Sequence, residues 1–201
     1  MIMKRLAILF TTILFCSSFI ASAQEKGYYG LLEASGGYIY KYVPGSETAP
    51  QDFMLGVSYV NGYRFSPYFA MGLGVGVNYY FDFEQFSAPV YLHLTADLLK
   101  RDITPYISLN IGNNFQLNGG KYNYGIYDGM SEEELVAAPM VHKEHYRGFF
   151  AEPSVGVKFN CGGKRANVGL AYAFDGVLDR TTDAYIRDNY PQFRIKFGVE
   201  F

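Results

Sequence analysis

Taken two residues at a time, the stretch from Tyr190 to Phe201 separates into two rows. Phe193, Ile195, Phe197, Val199 and Phe201 are all apolar, whereas Gln192, Arg194, Lys196, Gly198 and Glu200 carry three charges. Strict alternation puts the rows on opposite faces of a β-strand. The same two-faced pattern recurs seven more times. It predicts strands over about Tyr28 to Tyr40, Asp52 to Arg64, Tyr68 to Phe81, Ala88 to Leu99, Pro105 to Leu117, Tyr146 to Asn160 and Ala166 to Asp175. In the third of these, Phe69, Met71, Leu73, Val75, Val77 and Tyr79 interleave with Ala70, Gly72, Gly74, Gly76, Asn78 and Tyr80. In the fourth, Val90, Leu92, Leu94, Ala96 and Leu98 oppose Tyr91, His93, Thr95 and Asp97. The first strand fits two registers. The one that sends Tyr28, Leu32, Ala34 and Tyr38 to the apolar face turns Glu33 to the polar one, and it is preferred because a carboxylate in hydrocarbon is costly. Pro153 has no N–H for a ladder, so the sixth strand needs a bulge or a local gap there.

The connections alternate in length. Ser66-Pro67, Lys100 to Thr104 and Cys161 to Arg165 mark short turns, while those at about 41–51, 82–87, 118–145 and 177–189 read as longer loops. Short turns on one side, longer loops on the other and an even strand count are the marks of an outer-membrane barrel. A closed barrel pairs every backbone N–H and C=O without leaving an edge, which hydrocarbon demands. The expected fold is therefore all-β: an eight-stranded antiparallel up-and-down transmembrane β-barrel with short periplasmic turns, longer external loops, the apolar rows outside and the polar rows inside. Within loop 118–145, Ser131 and Glu134 stand at capping-box spacing before Leu135-Val136-Ala137-Ala138, which predicts a short helix.

The N-terminus adds an export signal. Lys4 and Arg5 precede the apolar run Leu6 to Phe15, and Ala21-Ser22-Ala23 offers a cleavage site of small residues. Cleavage after Ala23 gives a signal peptide over 1–23 and a barrel domain over 24–201. Cys16 raises a lipoprotein alternative, which Phe15 disfavours because a small residue normally precedes the acylated cysteine. The signal holds two of the 17 basic residues and none of the 19 acidic ones, so the mature chain carries about −4. That balance argues against nucleic acid, which requires a basic stripe. Cys161 is then the one remaining thiol, and an intramolecular disulfide is excluded.

The sequence also resembles a family. Gly62-Tyr63-Arg64-Phe65, Pro67-Tyr68-Phe69, Gly72-Leu73-Gly74-Val75-Gly76, Ala88-Pro89-Val90-Tyr91-Leu92 and Pro105-Tyr106-Ile107 with Gly112 are similar to the small outer-membrane β-barrel proteins of the PorT-like and OmpX-like group. The resemblance covers nearly all of 27–201. It implies the barrel and its location, and it carries over no functional residue.

The candidate chemistry lies inside. Glu33, Asp97, Glu152 and Glu200 face Arg64, Lys158, Arg194 and Lys196 across the expected lumen, four charges against four. Buried charges are tolerable when paired and hydrogen-bonded, so these residues are expected to form a salt-bridged interior; an ion or proton path is the alternative. The row Gly72, Gly74 and Gly76 leaves room for Tyr91, Tyr106 and Arg64 in a lumen that eight strands make just wide enough for side chains. His93, Ser108 and Glu152 all point inward and could form a hydrolytic triad, although a hydrogen-bonded plug is the preferred reading. His142 and His145 flank Glu144 in the long loop without the spacing of a His-Glu-x-x-His metal site; no metal, cofactor or catalytic residue is expected. Tyr122, Tyr124, Tyr127, Phe149 and Phe150, with Tyr40, Tyr42, Tyr185 and Tyr190, would anchor the barrel at the bilayer boundary or contact a partner above it. Phe201 resembles the terminal aromatic read by the barrel-insertion machinery.

These features lead to a non-enzymatic, monomeric outer-membrane protein with a structural or surface-interaction role, mainly through loop 118–145. Its expected partners are outer-membrane lipid, the barrel-assembly machinery and an extracellular protein or glycan. A narrow channel or transport or secretion accessory, a lipid-modifying enzyme and a soluble periplasmic barrel are the alternatives.

Overall fold

The structure is a computed structural model, and it describes residues 26–40, 51–81, 84–117, 147–161, 163–181 and 184–201. Eight strands form: β1 (Gly27–Tyr40), β2 (Gln51–Ser66), β3 (Phe69–Tyr80), β4 (Gln85–Asp97), β5 (Ile103–Gln116), β6 (Arg147–Cys161), β7 (Lys164–Thr181) and β8 (Ala184–Glu200). Each pairs antiparallel with its sequence neighbours, and β1 pairs with β8 to close the barrel. The alternation in the sequence becomes an inside-out distribution. Leu73, Phe193 and Leu170 are 70%, 68% and 62% exposed on the outer wall. Arg64, Glu200 and Lys158 are buried inside. Glu33 is buried opposite Ser58 and Gly198, with Tyr28, Leu32 and Tyr38 exposed, so the first strand adopts the preferred register.

Two of the expected loops are strand. Residues 177–181 and 184–189 continue the β7–β8 ladder, from Gly176↔Asn189 to Thr181↔Ala184. The polar content there imitated a loop, but a two-stranded ribbon needs no apolar face to pair its backbone. At 82–87, β4 already begins at Gln85, so β3 and β4 are joined by the short connection 81–84. Glu84 sits in the left-handed region at φ 48°, and its N–H donates to the Phe81 carbonyl at 3.3 Å. Gln85 and Ser87 point inward and Phe86 outward, which continues the alternation in residues too polar to read as strand. The long connections are therefore 41–50 and 117–146. The expected signal peptide with Ala23 and Cys16, the helix at Ser131, and the residues Tyr42, Tyr122, Tyr124, Tyr127, His142, Glu144 and His145 lie outside the described residues.

Pro153 produces a gap, not a bulge. The β6–β7 ladder runs from Ala151↔Phe174 directly to Ser154↔Ala171 in the same register. A second gap, between Val75↔Val90 and Asn78↔Ser87, lies at Pro89 in β4.

Phe201 departs from the exposed row in which its sequence position put it. Its ring lies on the outer face but is only 7% exposed. It covers Gly30, with which it exchanges two backbone hydrogen bonds of 2.8 Å, and stacks on Tyr59 with 6.3 Å between ring centroids. Glycine at position 30 makes the notch, because a Cβ there would meet the Phe201 ring. Gly30→Ala and Phe201→Ala should therefore be coupled by about 1 kcal/mol in a double-mutant cycle of unfolding. Additive effects would show that the ring does not seal the β1–β8 junction.

The charged barrel interior

All eight strands send side chains into two buried ion-pair clusters or their hydrogen-bond shells. The cluster near the short turns is built by β2, β4, β6, β7 and β8. Arg64 reaches Asp97 at 3.0 Å and also pairs with Glu200. Lys158 lies 2.7 Å from Asp97 and 2.8 Å from Glu200. Arg165 binds the same two carboxylates at 2.7 and 3.3 Å. Lys158 also donates to the Thr95 hydroxyl at 3.4 Å and sits 5.0 Å above the Tyr106 ring. Arg64 stands 5.4 Å from the centre of the Tyr29 ring. Three cations share two carboxylates here.

The second cluster lies further from the short turns and inverts that ratio. Lys196 bridges Glu33 at 2.7 Å and Glu152 at 2.8 Å. Arg194 bridges Glu152 at 2.8 Å and Asp175 at 3.3 Å. Three carboxylates share two cations, and neutral donors supply the difference: Gln192, Tyr80 and Asn114 donate to Asp175 at 2.7, 3.1 and 3.2 Å. Asn110 donates to Glu152 at 2.9 Å. Apolar side chains, including Tyr29, Leu31, Val60, Tyr91 and Phe150, fill the space around these groups. The Tyr91 ring lies where a Cβ on Gly74 would stand. Tyr106, by contrast, occupies the space left by Gly156 and Gly169, not that of the β3 glycines.

All eight charged residues singled out in the sequence are therefore brought into ion pairs, with Arg165 and Asp175 as two further members. Both prolong the inward row of β7, which reads Arg165, Asn167, Gly169, Ala171, Ala173 and Asp175. Continuing the two-residue period by one step at each end would have found them. Ion pairs of this kind offset their large desolvation penalty only when geometry and extra hydrogen bonds are both good.

The residues of the conceivable triad are engaged elsewhere. Glu152 can only accept, so the Asn110 amide nitrogen faces it and the Asn110 oxygen faces His93. His93 then donates from Nδ1 to that oxygen at 2.6 Å, and its Nε2 accepts from the Tyr29 hydroxyl at 3.1 Å. Ser108 shares a hydrogen bond with Ser154. A nucleophile needs its base within hydrogen-bond reach, and here His93 is held between Tyr29 and Asn110. Among the described residues, no group of three or more His, Cys, Asp and Glu side chains is placed to hold a metal ion.

No protein-family model matches the chain, and no curated protein matches it. Solved structures do. Neisserial surface protein A is 12% identical over 87% of this chain and 97% of that one, with a TM-score of 0.58. The outer membrane protein OprG from Pseudomonas aeruginosa is 14% identical over 88% and 97%, with a TM-score of 0.46. The outer membrane enzyme PagL is 12% identical over 86% and 98%, with a TM-score of 0.43. The likeness to the Neisserial protein is one of fold: a small closed barrel of the outer-membrane type.

Proposed function

We propose that the protein is an integral outer-membrane barrel with a sealed lumen, non-enzymatic, acting through its exposed loops and chiefly through 118–145. The observation that carries this reading is the inversion of the wall: apolar outside, charged and ion-paired inside. Each strand has at least the 12 residues of β3, and roughly 9–11 tilted residues cross a hydrocarbon layer. The engagement of His93, Ser108 and Glu152 in other bonds supports a non-catalytic interior. We place the chain with the PorT-like and OmpX-like group on the residues quoted above. The partners that follow are outer-membrane lipid, the barrel-assembly machinery, and an extracellular protein or glycan met by the aromatic residues Tyr122, Tyr124 and Tyr127.

Cell fractionation with gel mobility tests the reading. The protein should partition with the outer membrane, require detergent for extraction, and migrate differently before and after boiling. Reconstituted into planar bilayers it should pass no current. Detergent-free release would overturn the membrane reading, and discrete conductance steps would overturn the sealed lumen.

A further inference from the structure

The short-turn end of the barrel holds a feature that borders the sealed interior and shares Arg165 with it. A cavity of about 670 Å³ opens there, lined by Pro67, by Leu99, Lys100, Arg101, Asp102, Ile103 and Thr104 of the β4–β5 connection and its flank, and by Arg165. The turn is held in shape. The Thr104 hydroxyl donates to the Arg101 carbonyl at 2.7 Å, the Leu98 N–H to the Pro105 carbonyl at 2.9 Å, and the Asn160 N–H to the Asp102 carbonyl at 2.9 Å. Lys100 and Arg101 are exposed, and among the described residues they enter no ion pair. Arg165 reaches from the cavity wall back to Asp97 and Glu200.

The charge here is unbalanced. The adjoining cluster already has Arg64, Lys158 and Arg165 against Asp97 and Glu200. Lys100 and Arg101 add two cations and Asp102 one carboxylate, so five positive groups meet three negative ones. A low-dielectric neighbour magnifies such an excess and favours a counter-anion. Part of the cavity lining is apolar: Leu99 and Ile103 are exposed, and Leu98 next to them in the chain is exposed too. Cations together with an apolar lining match a phosphate group attached to an acyl chain.

We propose that this cavity binds a phosphate group carried by a membrane lipid, with Lys100 and Arg101 as its direct contacts, Arg165 behind them, and the lipid tail along Leu99 and Ile103. Arginine and lysine are the usual partners of phosphate oxygens, and basic groups near a membrane surface attract anionic lipids. The site rests on the membrane reading above.

Native mass spectrometry of the full chain in detergent, with added phosphatidylglycerol, tests it. The wild type should retain the lipid, and the double variant Lys100→Ala/Arg101→Ala should retain it about thirty-fold more weakly. The control Lys26→Ala/Lys164→Ala removes two exposed cations at the same end but outside the cavity, and it should leave retention unchanged. Equal retention by Lys100→Ala/Arg101→Ala, or an equal loss in the control, overturns the site. Inorganic phosphate provides the second arm. Weak displacement at millimolar concentration supports a lipid source, and full displacement at the lipid's own concentration overturns it in favour of free phosphate. Heat-dependent mobility of each variant separates loss of fold from loss of binding. A chain that stays soluble without detergent defeats the membrane reading. A detergent-dependent barrel whose double variant holds phosphatidylglycerol as well as the wild type defeats this site alone.

Discussion

Asp97→Asn will destabilise the barrel by about 3–5 kcal/mol, the range for breaking a buried ion pair from one side. The substitution keeps the shape of the side chain and removes its charge. Arg64, Lys158 and Arg165 are then left with Glu200 alone, in a cluster where Arg64, Lys158 and Asp97 are almost wholly buried. Adding Lys158→Met restores the original excess of one positive charge while keeping an unbranched chain against the Tyr106 ring. The double variant should recover more than half of the loss. Urea titration in detergent, followed by the shift between folded and unfolded gel mobility, measures both. A loss under about 1 kcal/mol for Asp97→Asn would mean that water reaches these charges and that the lumen is wet.

Gly62→Ala should be nearly as damaging, by about 3 kcal/mol, the upper range for overpacking a filled site. A Cβ on Gly62 would fall on the Met71 carbonyl oxygen and the Gly72 Cα, which are backbone atoms and cannot rotate aside. The strand pair β2–β3 would have to separate at that point, where the two backbones approach closely. Gly36→Ala is the matched control. Its Cβ would meet the flexible Leu55 Cδ2 at 3.6 Å, an ordinary contact, and the change should stay within about 0.5 kcal/mol. Equal effects at the two positions would show that loss of glycine as such, and not contact at Gly62, sets the penalty.

The architecture was legible because a barrel in lipid writes its faces at a period of two, and among the described residues no helix competes for the pattern. Glu33 shows how far this reaches: one charge resolved the register of a whole strand. The same local rule failed where polarity outweighed periodicity. Gln85 to Ser87 alternate correctly but carry too little apolar surface to read as strand, and 177–189 read as a loop because their sequence offers no apolar row. The interior partners were less legible still. Arg64 and Glu200 are 136 positions apart, and Arg64 of β2 meets Asp97 of β4 and Lys158 of β6 shares its carboxylates. Such contacts cross the lumen and leave no trace in spacing along the chain. The inward row could therefore supply the membership of the network, except for its end members Arg165 and Asp175, but not its division into a cation-rich and a carboxylate-rich group.

That division has a consequence for the order of assembly. Glu200 enters with the last strand, whereas Arg64, Lys158 and Arg165 arrive earlier in the chain. Until β8 docks, three cations have Asp97 as their shared acceptor. Arg194 and Lys196, which answer Glu33, Glu152 and Asp175, are also supplied by β8. An incomplete sheet therefore holds unbalanced charge of both signs at once, positive near the short turns and negative beyond. Transferring that sheet into hydrocarbon would be strongly unfavourable, and the imbalance falls in one step, to one excess charge in each cluster, when β8 joins. The strand would thus act as a checkpoint: an unbalanced partial barrel would be kept out of the bilayer, and insertion and closure would become a single cooperative event.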